Sequence, residues 1–499
     1  MRATSNLVKT RMRRESAAAG WAPAIDTSSS VPRLRQLYLQ LREGILTGAL
    51  RQGDRLPSTR SASVEWQLSR GAVSEVYETL IAEGYLVGRS GSGTYVTRNI
   101  RDGLRGVSSH LGRASVVGPR KISRAVEQAT QLSTDFPLQA AFTTGRVAHD
   151  ERTAVLLKKL AHRHVEQARD GYRDPQGEQG LREAVTAYLT ASRGVRCTAA
   201  QVFILSGTQQ ALDLSIRTLL SPGDTALIED PCYPPARQAL VLNGARIVGI
   251  PVDEDGMITR TLETYEGPAP ALVYVTPSNQ YPCGSALSLT RRMQLLAFAQ
   301  EKGAWIIEDD YDSEFRYEGR PIAALQGLDR HDRVIHVGSF SKALMPGLRV
   351  GFMVVPLDLV PAFRAVRPIL DRFPASLPQR VVADFLNEGY FPAHLRRLRE
   401  NYRHSRDLLA RLIQEELGEH LIVQLPKQGV HMTVTSTGTW TDDRHLTRIA
   451  LDEGVVVTPM SPMHIERVEC PRLLLGFSGL GDEEAEVAVQ RLSKALERR

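Results

Sequence analysis

Cysteine is scarce in this 499-residue chain. Its four cysteines, Cys197, Cys232, Cys283 and Cys470, show neither metal-ligand spacing nor the dense pattern of a disulfide framework. That excludes a disulfide-stapled secreted scaffold and fits a reducing, cytoplasmic setting. Long apolar runs are also missing, and nothing approaches the roughly 18–20 uninterrupted residues of a membrane helix. No secretory apolar core stands at the N-terminus either. Residues 1–30 carry Arg2, Lys9, Arg11, Arg13 and Arg14 and then a Ser/Ala-rich run. They fit a disordered basic arm better than an organelle-targeting peptide.

What is present is ordinary in bulk and uneven in place. The composition, 42% hydrophobic and 24% charged, suits a globular protein, and the length calls for two or more domains. The net charge is +6, but residues 1–134 hold 20 Lys and Arg against 10 Asp and Glu, leaving −4 for residues 135–499. A positive field confined to the first quarter suits a segment that meets a phosphate backbone, or else a plain solvated basic face.

That quarter opens with three helical patterns. Leu34 to Leu46 places apolar residues at helical spacing and stops at Gly48; Ser58 caps a second helix running through Trp66. Ser69 caps a third, with Val73, Val76, Tyr77, Leu80 and Ile81 on its inner face. Two short strands, Tyr85-Leu86-Val87 and Thr94-Tyr95-Val96, then flank Arg89-Ser90-Gly91-Ser92-Gly93. A helix-turn-helix followed by a β-hairpin wing is expected over residues 31–98.

Over residues 33–98 the chain resembles the GntR-type winged helix, through Gly53-Asp54-Arg55-Leu56-Pro57-Ser58-Thr59-Arg60, Leu68-Ser69-Arg70 and Glu83-Gly84-Tyr85-Leu86. The resemblance implies DNA contacts from Ser58, Arg60, Ser69 and Arg70 and from the Gly91–Gly93 tip of the wing. Helix N-termini offer free N–H groups to phosphates, and an arginine there can fork onto guanine. Ala62 and Gln67 depart from the family's usual leucine and turn glycine. Residues 99–134, basic and weakly periodic, read as a linker.

From residue 135 onward, short apolar strands alternate with helices: Val202–Leu205, Thr225–Ile228, Arg246–Ile250, Ala271–Val275, Trp305–Ile307, Val334–Val337 and Val350–Val355. This pattern predicts an α/β fold on a mostly parallel sheet, with a smaller α/β piece from about Pro374. Chemistry follows the strand ends. Ser206-Gly207-Thr208 opens a helix, Tyr233 presents a ring, and Thr276 to Gly284 forms a loop. Asp309, Asp310 and Tyr311 come next, then Gly338-Ser339-Phe340-Ser341-Lys342 with Arg349 seven positions on. A lysine among small residues with a following arginine suits a Schiff-base amine beside a phosphate cradle.

In this order, these features resemble fold type I pyridoxal phosphate enzymes, the aspartate aminotransferase superfamily. With the winged helix in front, the chain resembles MocR-subfamily regulators of the GntR family, across residues 33–98 and about 135–495. The resemblance implies pyridoxal 5′-phosphate on Lys342. Asp309 would pair with the pyridine nitrogen, with Asp310 as the alternative, and Tyr311 would meet the ring's phenolate oxygen. Gly207, Thr208, Ser339 and Arg349 would hold the phosphate, and Tyr233 would stack on the ring. Tyr172 would reach the phosphate of a neighbouring subunit, so a homodimer is implied, and Arg472 would clamp an effector carboxylate. Asn279 stands where these regulators usually have histidine, and Tyr281 where aminotransferases usually have asparagine, leaving Tyr311 largely alone at the phenolate. The arginine of the γ-aminobutyrate-sensing regulator is matched by Pro235, with Arg237 nearby, which disfavours γ-aminobutyrate.

Three functions follow from the resemblance: a regulator of a double-stranded DNA operator that senses an amino compound by aldimine exchange at Lys342, a regulator of vitamin B6 supply that senses pyridoxal phosphate itself, and a working aminotransferase fused to a DNA-binding module.

Overall fold

The computed structural model describes residues 21–97, 122–132, 140–166, 171–437, 442–466, 468 and 471–497. The chain divides into two compact units, Met1–Lys121 and Ile122–Arg499. Among the described residues, no helix is long and apolar enough to cross a membrane.

In the first unit, α1 (Arg33–Thr47), α2 (Thr59–Glu65) and α3 (Arg70–Ala82) precede an antiparallel hairpin of β1 (Leu86–Arg89) and β2 (Gly93–Val96). Leu37, Leu41, Ala62, Val73, Val76 and Leu80 are buried together at its centre. Ala62, where leucine is usual, is fully buried. Gln67, where the turn glycine is usual, takes φ 54°, so the turn keeps its left-handed geometry at the steric cost a side chain brings there.

The expected arm over residues 1–30 ends earlier than its composition suggests. Residues 1–20 lie outside the described residues, but Trp21 packs edge-on against Trp66, with centroids 6.2 Å apart. Gln36 and Gln40, one turn apart on α1, act as strand-like partners for this segment. Gln36 accepts from the Asp26 N–H at 2.9 Å and donates to the Asp26 carbonyl at 2.9 Å. Gln40 does the same for Ala24, at 2.7 Å each way. A carboxamide carries both a donor and an acceptor, so two glutamines fix backbone that polar composition alone reads as loose. The linker expectation over 99–134 is corrected likewise. Residues 98–121 and 133–139 lie outside the described residues, yet α4 (Arg124–Gln131) is a helix capped by Ser123. Its one buried residue is Ala129, too little for an apolar periodicity to register.

The second unit is built on an eight-stranded sheet. Its strands are β3 (Val202–Leu205), β4 (Thr225–Asp230), β5 (Arg246–Asp253), β6 (Gly256–Met257), β7 (Pro270–Val275), β8 (Trp305–Asp310), β9 (Val334–Ser339) and β10 (Gly351–Val354). They lie in the order β3-β10-β9-β8-β7-β4-β5-β6. The β5-β4-β7-β8-β9 run is parallel, and β10 pairs antiparallel with both β3 and β9. Apolar clusters cover both faces, as near-continuous apolar strands require. The smaller piece carries an antiparallel sheet of β11 (Leu421–Gln424), β12 (His431–Ser436), β13 (Thr458–Pro459) and β14 (Arg472–Gly476), ordered β11-β12-β14-β13. The α/β class and its mostly parallel sheet match the sequence expectation.

A charged pair is locked between β8 and β9. Glu308 accepts from the Leu325 and Gln326 N–H groups at 2.6 and 3.0 Å, and its Oε2 lies 3.1 Å from His336 Nδ1. Burial opposes both charges, but the pair overcomes it: Glu308 falls to about 2 and His336 rises above its ordinary value. The Glu308 contribution to stability is present above the ordinary carboxylate range and lost as pH falls through about 2. That of His336 is present below 6.5 and lost as pH rises through its raised value.

Two outcomes are expected. Thermal melts across pH should show stability declining above pH 6.5, a slope that His336→Gln removes while costing about 3–5 kcal/mol in acid, as for any half-broken buried pair. Trp21→Ala should destabilise the first unit by about 1–3 kcal/mol in urea unfolding, through lost burial and edge stacking.

Candidate cofactor and effector site

The carboxyl ends of β3, β4, β7, β8 and β9 converge on one side of the sheet, where open α/β sheets bind ligands. A cavity of about 200 Å³ opens there, lined by Gly207, Thr208, Tyr233, Asp309, Tyr311, Ser339, Lys342 and Arg349. Residues at the ends of β3, β4, β8 and β9 are thus brought together with Arg349, which precedes β10. Gln209, Tyr274, Thr276, Tyr281 and Ser341 complete the wall.

Lys342 is enclosed, its Nζ 4.1 Å from the centre of the Tyr311 ring. Burial lowers its pKa against the pull of Asp312, Asp309 and Glu314. A larger share of neutral amine makes a better nucleophile. Asp309 faces the same space. Its Oδ2 accepts from the Tyr274 hydroxyl at 2.8 Å, while its buried Oδ1 has no partner. Burial raises this carboxyl to about 6. Asp310 is engaged elsewhere: its Oδ2 accepts from Arg193 Nε at 2.8 Å, and Arg193 also donates to Ser278 Oγ at 2.8 Å. Of the two neighbouring aspartates, only Asp309 lines the cavity.

The opposite end is built for an anion. Gly207 takes φ 129° and opens α7 (Thr208–Leu219), the third helix after α4, following α5 (Glu151–His164) and α6 (Gln179–Arg193). No side chain caps α7, so its first N–H groups are free for a ligand. A Cβ at Gly207 would lie 3.6 Å from Arg349 Nη2, so the guanidinium stands directly over this helix start. The Ser339 hydroxyl accepts from the Ser341 N–H at 3.1 Å, which holds that loop in place. An unpaired buried carboxylate oxygen, an enclosed amine and an anion cradle thus fit a flat cationic ring with an aldehyde and a phosphate arm.

The surroundings include residues that sequence reasoning undervalued. Asn279 is buried, and its Nδ2 lies 3.1 Å from the Tyr311 hydroxyl, so Tyr311 has a polar neighbour. Tyr281 packs edge-on against Tyr233, Tyr311 and His431 at 5.2, 6.0 and 5.4 Å. His431 opens β12 and stacks on Tyr311, and burial with the Lys342 charge pushes it down to about 3, so it is neutral. Nothing local in the sequence marks His431, because its role comes from a contact across the fold.

Other expected residues lie outside the cavity. Tyr172 is 80% exposed, packed edge-on to Phe373 with Arg372 over its ring. Arg472 is exposed at the start of β14, on the face it shares with Leu474, which packs with Met460, Met463, Tyr281 and Cys283. Arg237 is occupied: it donates to the His464 and Ile465 carbonyls at 2.7 and 3.1 Å.

In the first unit, Ser58 and Ser69 cap α2 and α3, accepting from the Ser61 and Ala72 N–H groups at 3.1 and 3.2 Å. Arg60 and Arg70 stand exposed in the first turns of those helices. The wing tip needs Gly91 at φ 69° and Gly93 at φ 116°. Arg55, which sequence reasoning did not single out, lies against the wing, because a Cβ on Gly93 would come 3.0 Å from its Nε.

Known families and proteins match this architecture. The model described as Bacterial regulatory proteins, gntR family, matches residues 34–96, and that of Aminotransferase class I and II matches residues 139–492. The chain is 37% identical over 476 residues to the Probable rhizopine catabolism regulatory protein MocR of Rhizobium meliloti, covering 95% of each. It is 32% identical over 394 residues to the HTH-type pyridoxine biosynthesis transcriptional regulator PdxR of Corynebacterium glutamicum, covering 78% of this chain and 80% of the relative. Among solved structures it resembles LysN, the alpha-aminoadipate aminotransferase of Thermus thermophilus complexed with N-(5'-phosphopyridoxyl)-L-leucine. The two share 28% identity with TM-score 0.65 over 75% of this chain and 95% of that one. Joining a gntR-type winged helix to a class I and II aminotransferase domain, and matching such regulators along nearly its whole length, the chain belongs to the MocR-type transcriptional regulators of the gntR family.

Proposed function

We propose that the chain binds an operator duplex as a homodimer, holds pyridoxal 5′-phosphate on Lys342, and changes its hold on DNA when an amino compound enters the cavity. The observation that carries this reading is the buried, unpartnered Asp309 Oδ1 in the same cavity as the enclosed Lys342 amine and the Gly207–Arg349 cradle. When bound, pyridoxal phosphate supplies an aldehyde that condenses reversibly with amines, on a ring that draws electrons.

The residues divide the work. Lys342 Nζ offers the anchoring amine, and burial favours its neutral form. Asp309 Oδ1 takes a ring N–H, with Tyr274 holding the other oxygen. Gly207, Thr208, Ser339 and Arg349 hold the phosphate, Tyr233 covers the ring, and Tyr311 donates to the ring oxygen. Tyr172, exposed in one chain, suits a reach to the phosphate of a second copy. Arg472, exposed at the start of β14 on the face it shares with Leu474, would take an effector carboxylate. Pro235 in place of arginine, and an Arg237 occupied by two carbonyls, make γ-aminobutyrate a poor effector. Lys342, half-buried in the cavity, would hold the cofactor where an incoming amine could compete for its aldehyde. Operator affinity changes only if that amine binds the DNA-competent and DNA-incompetent arrangements unequally.

A second reading, that the cofactor is itself the signal, is favoured by the similarity to the pyridoxine biosynthesis regulator PdxR. Operator affinity that follows pyridoxal phosphate alone supports it. Turnover of an amino donor with a keto acid would instead support a working aminotransferase.

Two outcomes are expected. Borohydride should fix the cofactor to Lys342 in peptide mapping, and Lys342→Ala should lose the visible absorption band; a reducible link surviving in that variant refutes the anchor. Arg70→Ala should weaken binding to a duplex selected from a random pool by about 1–3 kcal/mol and leave the visible band intact; loss of both together would point to misfolding.

A further inference from the structure

Tyr311 lies at the end of a chain of hydrogen bonds whose direction can be read from its far end. Arg316 Nη1 donates to Gln428 Oε1 at 2.8 Å, and an arginine can only donate. The Gln428 amide is therefore fixed with Nε2 on its other side, where it donates to the Ser278 carbonyl and to Asn279 Oδ1, the latter at 3.4 Å. That in turn fixes Asn279. Its Nδ2 faces the Asp312 carboxylate at 3.0 and 2.9 Å and the Tyr311 hydroxyl at 3.1 Å. One amide N–H serves Asp312 and the other serves Tyr311, and all four side chains of the series, Arg316, Gln428, Asn279 and Tyr311, are buried or half-buried. Gly429 leaves no room to rearrange, because a Cβ there would stand 2.6 Å from Asn279 Nδ2 and 2.8 Å from Asp312 Oδ2.

We infer that Asn279 is a positioning residue: by donating to the Tyr311 oxygen, it commits the Tyr311 proton to the cavity and makes that phenol a stronger donor to whatever ring oxygen lies there. An O–H whose oxygen already accepts a hydrogen bond is polarised toward its own acceptor, and the effect grows where water is excluded. This rests on the cofactor reading above and deepens it. It assigns to Asn279, through Gln428 on the segment leading into β12, the setting of the electronic environment that Tyr311 supplies. Asn279 need not touch the cofactor to do this.

The test is spectroscopic. The charged and titratable groups around Tyr311 and Lys342 are Asp309, Asp312 and Glu314 beyond β8, Glu229 at the end of β4, Tyr281, and neutral His431 from β12. Arg349 and Tyr233 line the same cavity, and all of these groups are retained in the variants, though Asp312 loses its Asn279 donor in Asn279→Leu and keeps it in Gln428→Leu. Stronger donation from Tyr311 stabilises negative charge on the ring oxygen and loosens the proton shared between that oxygen and the Lys342 link. Removing the donor should therefore raise the pH midpoint of the visible band in the purified holoprotein. Asn279→Leu should shift it upward by roughly half a pH unit or more, the size expected when a charge-assisted hydrogen bond weakens. Tyr311→Phe should raise it further, and adding Asn279→Leu to Tyr311→Phe should produce no additional shift, because the two act in series. Gln428→Leu, which leaves the cavity wall untouched, should move the midpoint in the same direction and serves if Asn279→Leu does not fold. An unshifted midpoint in both the Asn279 and Gln428 variants, or equal shifts with and without Tyr311, overturns the inference. No visible band in the wild-type protein overturns the cofactor reading itself.

Discussion

The candidate site is arranged around the burial of acids at the end of β8. Glu308, Asp309, Asp310 and Asp312 follow each other out of β8 with at most 8% of their surface exposed. An ionised carboxylate in such surroundings costs several kcal/mol unless it is paired or richly hydrogen-bonded. The fold answers each acid differently. Glu308 has His336 and two backbone N–H groups, Asp310 has Arg193, and Asp312 has Asn279. Asp309 has only a tyrosine hydroxyl, and although Asp309 Oδ1 and Asp310 Oδ1 both lack a partner, only Asp309 lines the cavity. Three of the four solutions hold strands and loops in place; the fourth leaves one oxygen for a ligand.

This pattern explains what the sequence revealed and what it hid. The strands could be read because parallel strands covered on both faces are continuous apolar runs, and Lys342 and Arg349 could be read because their spacing is local. The division of labour between Asp309 and Asp310 was not local. It depends on Arg193, more than a hundred residues upstream, taking one of two adjacent carboxylates. His431 and Gln428 were invisible for the same reason, since each meets the site only after the smaller sheet docks on the larger. The early end of the basic arm was missed for another reason: Gln36 and Gln40 look like solvent-facing helix residues until a backbone segment lies beside them.

The departures from family pattern also acquire physical content. Gln67 shows that a left-handed turn can be kept without glycine when the flanking helices fix it. Asn279 in place of histidine changes polarity as well as size. A neutral histidine with one ring N–H turned to Asp312 would offer Tyr311 a lone pair, whereas an amide has two N–H groups and can serve both. The substitution therefore bears on which way the Tyr311 proton points, and Tyr281, filling the neighbouring place with an aromatic edge, supplies no competing amide.

Each unit carries an exposed arginine near a helix start. In the winged helix, Arg70 stands exposed at the start of α3, and Arg55, ahead of α2, lies against Gly93 of the wing. In the sheet unit, Arg349 stands over the uncapped start of α7, inside a cavity of about 200 Å³. Exposed guanidiniums at a helix start are screened by salt and suit a polymer of phosphates that many such contacts together must hold. Arg349 is also exposed, but it lines a concave site beside an uncapped helix start, where the room suits only a small anion. One arrangement suits a long polyanion and the other a single small one, the two that the proposed ligand-dependent regulator would need.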